Sequence, residues 1–256
     1  MTGNDIIKFR PRFADLTTAL GLLTRLPLPS SVFTTDQTRP AAYAAWAYPL
    51  VGVVIASLSA FAGWLTLSLG LPPAAAALFM LLASIISTGA MHEDGLADCA
   101  DGFWGGWTRE RRLEIMKDSQ IGTYGVIALV LALALRWLAL TALLEAGGYV
   151  VALLCVAVMS RAAMVAVMYG LPAARPSGLS GNTGRPPKSA MFTAVLSGVI
   201  AATLILPITL LPVLVTTMAV ALVARAKVGG QTGDVLGATQ QVTEIAVLLS
   251  FLATLA

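Results

Sequence analysis

Residues 92–106 read HEDGLADCADGFWGG and gather four carboxylates and the chain's single histidine into ten positions. Asp94, Asp98 and Asp101 stand at i, i+4 and i+7, and at about 100° per residue they fall within about 60° of one another on a helix. Like charges so spaced destabilise a bare helix, and beside lipid they would take up protons unless a cation compensated them. Oxygen-only ligands suit Mg²⁺, which keeps waters and completes its shell with substrate phosphates. The candidate metal ligands are therefore Glu93, Asp94, Asp98 and Asp101. A solvated acidic helix end would explain the charges, but not their shared face or the glycines at 95, 102, 105 and 106. His92 could serve as a ligand, a phosphate donor or a cap.

Other polar groups belong to the same chemistry. Lys117 and Asp118 precede the turn SQIGTYG. Before them, Glu110, Arg111, Arg112 and Glu114 read as the solvated face of a short amphipathic helix. Arg161 falls in the middle of an apolar run, where a cation is costly unless it faces the interior or a wet cavity. Arg136 carries the same penalty, with Glu145 or a backbone carbonyl as its expected partner. The Gly- and Pro-rich stretch 171–189 contains Arg175, Arg185 and Lys188, which suits either a phosphate-binding lid or a plain topogenic loop. Asp234 follows a Gly-rich turn, and Glu244 lies about 15 Å deeper along a helix. An acid at that depth is a functional-site candidate.

What must position these groups is a membrane bundle. The sequence is 57% hydrophobic and 11% charged, against about 25% charged in soluble domains, which excludes a soluble fold. The class is all-α: a polytopic integral membrane bundle, one domain over 1–256, with no nucleic-acid partner expected. Apolar runs of about 18–25 residues predict seven spans, at 43–69, 74–90, 124–144, 149–170, 190–206, 208–224 and from 234 onward. Pro207 and Pro212 leave the fifth and sixth open to a reading as one kinked helix. Two spans is preferred, because with alternating spans fourteen of the sixteen Lys and Arg then fall on one side. The positive-inside rule makes that side cytoplasmic, so the N-terminus, the arm 1–40 and the acidic loop 91–123 are expected there. Residues 13–27 have the spacing of an amphipathic interfacial helix. The small-residue helix faces suit a homodimer. Cys99 and Cys155 are too far apart in sequence and setting to suggest a disulfide or a metal site.

HEDGLADCADGFWGG, followed by RRLEIMKDSQIGTYG, resembles the signature of the cobalamin synthase family. LTRLPLP, YPLVG, SRAAM and TGDVLGA are similar to that family's pattern in the same order. The family's His-x-Asp-Gly-Leu-Ala-Asp-x-x-Asp-Gly falls on His92, Asp94, Gly95, Leu96, Ala97, Asp98, Asp101 and Gly102. Glu93 occupies a position that the motif does not fix. The resemblance implies a Mg²⁺-dependent enzyme of a bacterial-type inner membrane, acting on its cytoplasmic face. It would join adenosylcobinamide-GDP to α-ribazole or its 5′-phosphate and release GMP. On that reading Asp94, Asp98 and Asp101 hold one or two metal ions. Asp101 or Asp234 takes the hydroxyl proton, and Lys117, Arg161 and Arg175 steady phosphates, with His92, Asp118 and Glu244 also at the substrate. Three alternatives compete, the weakest being isoprenoid transferases, which carry acidic pairs on helices. CDP-alcohol phosphotransferases share the fragment DCADG, but their motif continues Ala-Arg where this chain has Gly105-Gly106. A cation transporter would line its path with Asp234, Glu244 and Arg161.

Overall fold

Prolines and glycines mark where the apolar runs end, and a computed structural model places helices between them. It describes residues 10–28, 39–176 and 178–255. Parts of the expected arm 1–40 and of LTRLPLP lie outside these residues. Helix α1 (Phe13–Leu23) occupies the start of the expected amphipathic segment and buries Ala19 and Leu23. The first span runs Ala41–Ser68, opening with a 3₁₀ stretch to Ala47 and continuing as α2 (Tyr48–Ser68). Pro73 starts α3 (Pro73–Thr88). The remaining apolar helices are α6 (Thr123–Ala146), α7 (Tyr149–Gly170), α9 (Lys188–Ile205), α10 (Leu210–Val228) and α11 (Gly233–Leu252). A single 3₁₀ turn at Pro207–Thr209 separates α9 from α10, so the fifth and sixth spans are distinct. Among the described residues there is no strand, only an isolated bridge between Ala173 and Gln231.

The second span departs from expectation. At 16 residues α3 is shorter than the roughly 20 residues a bilayer core needs. Gly89 and Ala90 both take left-handed backbone angles, with φ of 65° and 59°. The chain turns by 87° there into α4 (Met91–Gly105), the acidic segment. Six helices are long and apolar enough to span alone, and a seventh span requires counting α3 and α4 as one bent pair. The acidic stretch expected as the loop 91–123 is thus largely helical, with α4 packed against α6 and α11 and followed by α5 (Arg109–Ile115).

Arg112 is partly buried and not a solvated group, and its half-exposed neighbour Arg109 is also tied down. Arg109 donates to the carbonyls of Val228 (2.9 Å) and Ala174 (2.5 Å), and Arg112 to those of Gly106 (2.9 Å) and Lys227 (3.1 Å). Together they fasten α5 across the C-terminal end of α10.

Helix α7 is central, packed against α2, α9 and α11. Two apolar clusters fill the interior. One joins α1, the start of α2, the end of α7 and the start of α11; the other joins α3, the far half of α6, the start of α7 and the end of α11. Leucines and valines of α6 and α10, such as Leu131 and Leu211, point outward, as lipid contact requires.

Candidate active site

Between the two apolar clusters lies a layer of charge. Glu93 and Arg136 meet at 2.8 Å, as do Arg136 and Glu244; Arg161 stands 3.7 Å from Glu244. Gln241 donates to Glu93 at 3.0 Å and accepts from Arg136 at 3.1 Å, while Gln240 donates to Glu244. Two acids against two guanidinium groups make the layer neutral, which is how ions become tolerable inside a bundle. It corrects three expectations. Glu93 points away from the aspartates to Arg136 and is not a metal ligand beside them. Arg136 pairs with Glu93 and Glu244, not with Glu145, which is exposed. Arg161 and Glu244 bind each other beside a small cavity that Asp234 does not line, so these three residues do not form one path.

Asp101 is also committed elsewhere. Its Oδ2 accepts from the Gly122 amide (2.8 Å) and its Oδ1 from the Gly125 amide (2.9 Å). Both oxygens cap the first turn of α6, where orphan N–H groups and the positive end of the helix dipole favour a carboxylate. Lys117 and Asp118 are exposed in the turn after α5, and among the described residues Asp118 accepts only from the Gln120 amide (3.0 Å). The structure does not bring either into the cluster.

The groups that do converge lie at the end of the bundle where α7 stops and α11 starts. Gly95 lets α4 seat directly on the backbone of α11: a Cβ there would stand 2.7 Å from the Asp234 carbonyl oxygen. That approach sets Asp94 and Asp98 beside Asp234. Asp98 lies within electrostatic reach of Asp94, Asp101, Asp234 and Arg175. Neither Asp94 nor Asp98 is tied to a partner among the described residues. Asp234 Oδ2 accepts from Arg175 (2.9 Å) and from the Thr232 hydroxyl (3.0 Å). Thr232 also caps α11, accepting from the Val235 amide at 3.2 Å. Asp94, Arg175, Asp234 and His92 line a second, larger cavity. Two nitrogens among them, Arg175 Nη1 and His92 Nε2, are buried without a hydrogen-bond partner.

Ser180 on the short helix α8 (Leu179–Thr183) bonds the Gln231 side chain and closes the stretch 171–189 over this end. The described basic residues outside the spans gather at the same end. Among the described residues no group of three or more His, Cys, Asp or Glu is close enough to hold a metal by itself. Thr232, Gln240 and Gln241 escaped the sequence reading. A Thr two residues before an acid at a helix start, and adjacent glutamines inside an apolar helix, were the signals available for them.

The family model for cobalamin-5-phosphate synthase matches residues 15–252. The chain is 43% identical over 241 residues to the adenosylcobinamide-GDP ribazoletransferase of Bradyrhizobium diazoefficiens, covering 92% of both chains. Proteins of the same name in Rhizobium etli and Brucella ovis are 42% and 40% identical, over 94% of this chain and 97% of theirs. No solved structure matches.

Proposed function

The chain belongs to the cobalamin-5-phosphate synthase family, and from that premise we propose that it is an adenosylcobinamide-GDP ribazoletransferase. Relatives of that name at 40–43% identity support the assignment along nearly the whole chain. One observation carries it onto these residues. The cavity lined by Asp94 and Asp234 is also lined by Arg175 and His92, whose Nη1 and Nε2 are buried and lack partners. Buried polar groups are seldom left unpaired, and a pyrophosphate would supply the missing acceptors.

In the proposed reaction a ribose hydroxyl of α-ribazole, or of its 5′-phosphate, attacks the phosphorus nearest the cobinamide arm. One phosphoester bond forms, the phosphoanhydride breaks, and GMP departs with the electron pair. Asp234, held by Arg175 and Thr232, takes the hydroxyl proton; Asp101 is excluded from that role because both its oxygens cap α6. Arg175 and His92 hold the pyrophosphate oxygens. Arg161 and Glu244 act on the site only through the layer that fixes α4.

Mg²⁺ fits the donor set. It binds through one or two carboxylates and completes its shell with water and phosphate; the untied Asp94 and Asp98 offer that, and among the described residues there is no all-protein cage. When bound it would neutralise charge on the pyrophosphate and the leaving group. We place the enzyme in a bacterial cytoplasmic membrane with its N-terminus and this site facing the cytoplasm, on the gathered basic residues.

The test is GMP release by purified protein given donor, acceptor and Mg²⁺. Release should require all three, stop with EDTA and return with Mg²⁺. Asp98→Asn should abolish turnover while the melting temperature stays unchanged. Wild-type turnover by that variant, or release without a divalent ion, would overturn the assignment.

A further inference from the structure

The cavity lined by Asp94, Arg175 and Asp234 is also lined by Tyr48, Met164 and Met168, which with Leu23 and Leu236 give it an apolar wall. Met164 and Met168 are one turn apart on α7 and face the cavity side by side, 3% and 1% exposed. We infer that this apolar wall seats the heteroaromatic base of the acceptor nucleoside, an inference that rests on the ribazoletransferase reading.

Three substrate parts could occupy the wall: the corrin, the guanine and the base of ribazole. The corrin with its amide side chains is too large and too polar for it. Guanine presents an amide-like edge that needs hydrogen-bond partners, and leaving such groups unmet costs affinity. The wall gives one, the Tyr48 hydroxyl, too few for that edge. The Ser180 hydroxyl is bound to Gln231 and the Thr183 hydroxyl to the Leu179 carbonyl, and no Asn or Gln lines the cavity. A dimethylbenzimidazole carries no N–H donor once joined to its ribose and presents two methyl groups. Thioethers suit it, because methionine is polarisable, adapts its shape and contacts aromatic rings favourably. With the base on the α7 side, the ribose lies across the cavity next to Asp234, where the proton must go. The wall therefore reads the base mainly by shape and contact, with the Tyr48 hydroxyl as its one polar group.

The test compares acceptor and donor kinetics of the full chain in detergent with Mg²⁺. Met164→Ala and Met168→Ala should each raise the KM for α-ribazole by about tenfold, the scale of lost apolar contact in a specificity pocket. The KM for adenosylcobinamide-GDP should change by less than about twofold. Met168→Leu, which keeps the volume, should stay near wild type. Wild-type protein offered the adenine α-riboside should use it about tenfold less well than α-ribazole, a comparison that needs no variant to fold. Unchanged acceptor KM in both alanine variants, a rise confined to the donor KM, or equal use of the two ribosides would overturn the inference while leaving the activity standing. Absence of GMP release from wild-type protein with either acceptor would overturn the activity itself, and the inference with it.

Discussion

Replacing Asp101 with Asn separates a structural carboxylate from a catalytic one. The native side chain accepts the Gly122 amide at 2.8 Å and the Gly125 amide at 2.9 Å, at 8% exposure. Asparagine keeps one accepting oxygen but turns an amide donor toward the other N–H. One charge-assisted hydrogen bond is lost, about 1.5–3 kcal/mol. The favourable charge at the start of α6 goes with it, about 0.3–1 kcal/mol. The expected cost is about 2–4 kcal/mol. For a chain of this size that lowers the melting temperature by roughly 5–15 °C, an upper value because spanning helices keep their internal bonds when the bundle loosens. The assay is a thermal melt in detergent beside GMP release at low temperature. Asp101→Asn should melt early yet retain turnover in proportion to its folded fraction, with the proposed Mg²⁺ requirement unaltered. A variant that melts like wild type and releases no GMP would refute the capping argument and return Asp101 to the chemistry.

Glu93→Ala leaves Arg136 short of a buried partner and should cost about 3–5 kcal/mol, read as a lowered melting temperature. Replacing the pair together, Glu93→Leu with Arg136→Met, should cost less than Glu93→Ala alone. In Gly95→Ala the new methyl would stand 2.7 Å from the Asp234 carbonyl oxygen, where only backbone can yield. The α4–α11 seat must open, and turnover should fall about 10²-fold with the helical circular-dichroism signal unchanged. Arg175→Lys loses the fork that spans Asp234 and a phosphate, and should raise the donor KM roughly 10–100-fold, the worth of one charged hydrogen bond.

The spans were legible because a bilayer asks for length and apolarity, and both are local. Tyr149–Gly170 is read off the sequence without error, and Pro207 separates α9 from α10 as expected. The shared face of Asp94, Asp98 and Asp101 was legible from helical period. What that face meets at each level was not. Asp101 lies about 10 Å along the axis from Asp94, far enough to reach the start of α6 and not the cavity. Glu93 is one residue, about 100°, off that face, and so meets Arg136, which stands 43 positions away in the chain. Helical period fixes the direction of a side chain; partners that distant depend on the bend at Gly89–Ala90 and on which helices close around α4. Arg175 and Asp234 could each be singled out as residues, but only the fold reveals that they touch.

The left-handed pair at Gly89–Ala90 also orders events during synthesis. It points α4 at helices the ribosome has not yet made: α6 begins at Thr123, and α11 ends at Leu252. At about 5–20 residues per second, the roughly 150 residues from Asp98 to the end of α11 take about 8–30 s to emerge. Until α11 has emerged, the acidic helix has α6 but lacks the other half of its cradle. The nascent chain thus commits its hydrophobic helices to the bilayer first and assembles its reactive centre last. A half-made protein is already anchored but holds no formed pocket for a nucleotide.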